Sequence, residues 1–135
     1  MAKQLFVNLP VKDLQTTTAF FAKLGFAFNP KFTDENAACM VITENTYAML
    51  LLEKFFKTFI KKELADAKKT TEVLLALQLG SREQVDEMVA KAKAAGGQEP
   101  NAMQDHGWMY SRSFEDPDGH IWEVFCMDES QMPKQ

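Results

Sequence analysis

An internal repeat limits what this chain can fold into more than any other feature. A shift of 68 residues lays Leu5 on Val73, Val7 on Leu75, Leu9 on Leu77, Val11 on Leu79 and Asp13 on Ser81. Each copy runs from alternating apolar residues through a capping side chain to an apolar stripe of helical spacing. A repeat of half a domain's length indicates duplication of one β-α-β-β-β unit and excludes a solenoid of short repeats. The 135 residues match one domain of ordinary size.

In the first copy, Leu5, Val7, Leu9 and Val11 share one face of a strand, and Gln4, Phe6 and Asn8 share the other. Asp13 stands at a helix N-cap, ahead of the stripe Leu14, Thr17, Thr18, Phe21 and Leu24, with Gly25 as the stop. Strands are expected over 26–33, 37–42 and 47–52. In the second copy, Val73, Leu75, Leu77 and Leu79 form the apolar face, and Glu72, Leu74, Ala76 and Gln78 the mixed one. Ser81, with Gln84 three residues on, has capping-box spacing ahead of Val85, Met88, Val89 and Ala92, and Gly96-Gly97 ends that helix. Strands are expected over 98–103, 108–114 and 120–127, the last two joined by the turn Asp116-Pro117-Asp118-Gly119. The reading is an α+β domain over 1–135, with a first module over 3–62, a linker over 63–70 and a second module over 71–128. The all-apolar strand faces pack on the helices, and the mixed faces are left to line something else.

Composition narrows the function classes. With 15 basic and 19 acidic side chains the chain has a net charge of −4, which supplies no basic field for nucleic acid. Cys39 and Cys126 lie in apolar stretches and read as buried thiols of a reducing compartment. The first residues show no signal-peptide core and no apolar run reaches the length of a membrane span, so a cytoplasmic protein without a membrane partner is expected.

The paired modules, with Val11-Lys12-Asp13-Leu14 and Phe20-Phe21-Ala22-Lys23-Leu24-Gly25-Phe26 early and Asp116-Pro117-Asp118-Gly119-His120-Ile121-Trp122-Glu123-Val124 late, resemble the vicinal oxygen chelate superfamily. That superfamily includes glyoxalase I, bleomycin-resistance proteins and extradiol dioxygenases. Within it the chain is similar to small bacterial proteins described as lactoylglutathione lyases. The resemblance implies a curved mixed sheet around a cleft, a homodimer and a small-molecule ligand. In metal-using members a His or Gln on the first strand and a Glu on the last strand of each module hold a divalent ion. Carried over, the first-strand positions fall on Phe6 and Leu74 and the last-strand positions near Leu51 and on Glu123, with Glu53 two residues beyond Leu51. Only Glu123 matches. No cofactor is therefore expected, although the resemblance leaves a Zn, Ni, Fe or Mn ion open.

Glu123 is the candidate catalytic residue, as a general acid or base between Ile121 and Phe125. Its structural alternative is an ion pair with Arg112 on the neighbouring strand. Phe6, Tyr47, Leu51, Leu74, Trp108 and Arg112 are the candidate substrate-binding residues, and core packing is the competing reading for each. His106 and His120 carry no metal-ligand spacing and read as loop and turn residues. The basic amphipathic segment 54–62, with Phe55, Phe56, Phe59 and Ile60 on one side, reads as a flap or a dimer contact. Two functions follow: a glyoxalase-type lyase or isomerase, or a metal-free binding protein that sequesters an apolar compound.

Overall fold

The computed structural model describes residues 1–134 and divides into two compact units, Met1–Asp66 and the chain from Ala67 onward. In the first unit, β1 (Leu5–Val11) leads into α1 (Leu14–Lys23), followed by β2 (Ala27–Phe28), β3 (Ala37–Thr43) and β4 (Thr46–Leu52). The strands form a mixed sheet in the order β1-β4-β3-β2, with β1 parallel to β4 and the other pairs antiparallel. Asp13 caps α1 as its spacing predicts, its carboxylate accepting from the Thr16 N–H at 3.0 Å. Gly25, at φ +100°, turns the chain out of the helix. Thr17, Phe20, Phe21 and Leu24 of this helical face are buried with Leu9, Val11, Ala48 and Leu50 from the sheet. Each large apolar side chain buried this way contributes about 1.5–3 kcal/mol relative to exposure.

The second unit repeats the plan. Its strand β5 (Leu75–Gln78) precedes α3 (Arg82–Ala94), then β6 (Gln104–Asp105), β7 (Met109–Glu115) and β8 (Ile121–Met127), in the sheet order β5-β8-β7-β6. Ser81 caps α3 through the Gln84 N–H. The Gln84 side chain accepts from Gly80 rather than from the cap residue itself, a one-residue variant of the expected box. Val85, Val89 and Ala92 are buried with Phe114, Trp122 and Val124.

Three expected strands are shorter than their patterns suggested. The run 26–33 pairs only at Ala27–Phe28, because Pro30 has no N–H for the ladder and Asn29 caps a 3-10 turn over Pro30–Phe32. The run 98–103 holds a single bridge from Gln98 to Glu115, since Pro100 again breaks the ladder, and pairing resumes at Gln104. Val73 and Leu74 lie before β5 and are about half exposed, so the apolar alternation there begins earlier than the pairing. The segment after β4 forms a short helix α2 (Glu53–Phe56) and a 3-10 turn over Lys57–Phe59, with Phe55 edge-on to an exposed Phe59.

Candidate functional site

Each sheet has one face against its helix and one face away from it. In the first sheet the register sets Phe6 beside Tyr47, Asn8 beside Met49 and Pro10 beside Leu51 on the face away from α1. Phe6 and Tyr47 stack with ring centroids 4.8 Å apart and planes 16° from parallel. The Tyr47 hydroxyl is anchored by donating to the Glu44 carbonyl at 2.8 Å, which fixes the ring on the open face. Phe6 is 39% exposed while Leu51 is buried. The fold thus stacks Phe6 on Tyr47 and sets Leu51 on the same face four residues along β4, opposite Pro10.

In the second sheet the face away from α3 carries Glu123, with Ala76 and Ser113 as its cross-strand neighbours. Ile121 and Phe125 flank it along β8 and, like Glu123, are half-buried. The strand is held from its start by the preceding turn. Asp116 is buried and accepts from the Asp118 and His120 N–H groups and from the Trp122 indole at 3.1 Å. Burial pushes its carboxyl above the ordinary range, against the pull of these donors. The adjacent Gly119, at φ +92°, lies so close to the linker that a Cβ would come within 2.9 Å of the Lys68 nitrogen. Trp122, fixed by Asp116 on the helix side, leaves Glu123 to the open side.

The expected ion pair between Glu123 and Arg112 does not form. Arg112 pairs in register with the buried Val124, not with Glu123, so its side chain lies on the helix face. There all three guanidinium nitrogens are engaged, Nε and Nη2 with Glu99 and Nη1 with Asp86. The charge-assisted bonds from Arg112 hold Glu99 below the usual carboxylate range. Asp86 is lowered as well, first by the Tyr110 hydroxyl at 2.5 Å and then by Arg112. Arg82 lies over the Tyr110 ring and forms a bidentate pair with Asp105 at 2.7 Å. This network ties α3 to β6 and β7 and rims an open pocket of about 580 Å³ that includes Met103. Sequence spacing gave no sign of it, because its members are distant along the chain.

Two candidate residues stand just outside the paired strands. Trp108 immediately precedes β7. Leu74 stands ahead of β5 rather than within a paired strand. His106 remains in an exposed loop with its Nε2 3.4 Å from the Gln104 side-chain oxygen Oε1, and the His120 backbone serves the Asp116 turn.

Phe6, Leu51 and Leu74 carry no ligating atom, and among the described residues no group of three His, Cys, Asp or Glu is gathered. No helix among the described residues is long and apolar enough to cross a membrane.

Comparison with known proteins matches residues 3–124 to the Glyoxalase/Bleomycin resistance protein/Dioxygenase superfamily. The chain belongs to this superfamily. A hypothetical protein from S. aureus is 27% identical over 93% of this chain and 94% of its own, with a TM-score of 0.79. A glyoxalase-related enzyme from Fulvimarina pelagi is 20% identical over 93% of this chain and 88% of its own, also with a TM-score of 0.79. An antibiotic binding protein from Streptomyces sp. CB03234 is 17% identical over 95% of this chain and 98% of its own, with a TM-score of 0.65. No curated protein matches the sequence. The superfamily's two-module plan accounts for the repeat and for the two four-stranded mixed sheets.

Proposed function

We propose that this chain is a metal-free member of its superfamily that binds a small apolar or aromatic molecule on a sheet face turned away from its helix. The observation that carries the reading is the set of side chains at the positions where the resemblance implies metal ligands. Phe6 and Leu74 stand at two, Leu51 lies near the third, and Glu123 alone is a donor. A divalent ion needs several hard or borderline donors at once, so one carboxylate among apolar side chains gives it no seat. Phe6, 39% exposed, adds apolar area available to a ligand. The name of the Streptomyces neighbour describes that protein as antibiotic binding.

A second reading, a lactoylglutathione lyase-like enzyme with Glu123 as its acid–base group, is favoured by one observation: this carboxylate has no partner within its own sheet. A homodimer, a cytoplasmic location and a single functional domain of modules 3–62 and 71–128 joined by a 63–70 linker complete the proposal. Two assays test it on purified protein. Fluorescence polarisation with 1-naphthalenemethanol is expected to show saturable binding that Phe6→Ala weakens. The methylglyoxal–glutathione hemithioacetal, supplied with Zn, Ni, Fe or Mn, is expected to remain unconverted. Turnover, or an absence of any saturable binding, overturns the reading.

A further inference from the structure

The face of the second sheet turned away from α3 holds two carboxylates, Glu123 and, opposite Ile121 at the end of β7, Glu115, and no cation of that sheet neutralises Glu123. Glu123 is half-buried, between the half-buried Ile121 and Phe125 on its own strand and beside Ala76 on β5. It makes no hydrogen bond and no ion pair with any described residue. Arg112, on the neighbouring strand, is turned to the opposite face and saturated by Glu99 and Asp86. The group across the strand is Ser113, only 2% exposed, and its hydroxyl is the one buried side-chain oxygen or nitrogen among the described residues without a partner. These two neighbours do not satisfy each other. A structural carboxylate on a sheet is ordinarily met by the cross-strand side chain, so the pair is not built to close on itself.

Both groups carry a cost that folding leaves in place. A partly desolvated carboxylate without a counter-charge and a buried hydroxyl without a partner each lose water without replacement. A ligand group that relieves both must donate several hydrogen bonds and carry positive charge. A protonated amine does this with its N–H groups directed at the carboxylate, and the apolar neighbours Ile121, Phe125 and Ala76 suit the hydrocarbon next to the nitrogen. A neutral hydroxyl offers one donor and no charge.

We infer that Glu123 and Ser113 form an ammonium subsite, so that the ligand of this protein is an apolar or aromatic amine. The inference rests on the small-molecule binding proposed above and names the chemical class of its ligand. The test compares 1-naphthylmethylamine with its neutral counterpart 1-naphthalenemethanol near neutral pH, on the full chain and on Glu123→Gln and Ser113→Ala. The amine is expected to bind about tenfold more tightly or better, as charge-assisted hydrogen bonds imply. Glu123→Gln should erase that advantage, bringing amine and alcohol to equal affinity, and Ser113→Ala should reduce it in part. Because Glu123 has no partner to lose, the variant's circular dichroism and melting temperature should match those of the parent. Equal affinity for amine and alcohol, or an advantage that survives Glu123→Gln, overturns the subsite and leaves small-molecule binding standing. If neither probe binds, the parent reading falls and the subsite with it.

Discussion

At the level of single residues, the strongest electrostatics lie away from the proposed ligand face. Arg82 and the Gly107 N–H hold the Asp105 carboxyl down to about 2 from an ordinary value of 3.8, with Arg82 as the larger cause. A carboxylate whose folded value is depressed adds stability above its unfolded value and loses it as pH falls through the folded one. Acidification from about pH 4 toward 2 should therefore loosen the contact of α3 with β6. Carboxyl-resolved NMR titration is expected to place the Asp105 midpoint near 2 and, in Arg82→Ala, to move it up toward 3.8. An unchanged midpoint would show that the bidentate pair does not govern this group. Glu123 differs in kind: the carboxylates of the network are satisfied by arginine, while Glu123 on the other face has no arginine partner.

At the level of elements, the two helices and the order of strands were legible because capping and periodicity are local signals. Asp13, Ser81, Gly25 and Gly96 mark the helix ends where the alternation of apolar residues stops. Strand lengths were less legible, since pairing depends on a neighbour and on prolines such as Pro30 and Pro100 that interrupt the ladder. The side on which Arg112 lies was also hidden, because it follows from the register of β7 against β8, which no single strand specifies. The Asp-Pro-Asp-Gly turn shows how a recognisable motif acquires a tertiary role. Gly25 and Gly119 share a left-handed conformation, but a Cβ at Gly25 meets nothing within 4 Å, whereas at Gly119 it meets the linker backbone. Gly25→Ala should therefore cost about 1 kcal/mol through backbone strain alone. Gly119→Ala should cost about 3 kcal/mol once the overpacking is added. Urea denaturation midpoints of the two variants measure the difference, and equal costs would show that the linker yields without penalty.

At the scale of the whole molecule, duplication explains why one sequence plan appears twice and why the two open faces differ. The helix-facing side of each sheet is constrained by packing and keeps a buried apolar centre in both copies, with Arg112 beside it in the second. The open sides are free to diverge, and they have done so. The first carries a stacked Phe6–Tyr47 pair, and the second Glu123 with Glu115 near it. The central claim is binding without a divalent ion, and elemental analysis of the purified, unchelated protein by inductively coupled plasma mass spectrometry tests it most directly. The account predicts Zn, Ni, Fe and Mn far below one equivalent per chain, unchanged in Glu123→Gln. One equivalent of any of these metals in the parent protein, lost in Glu123→Gln, would contradict it.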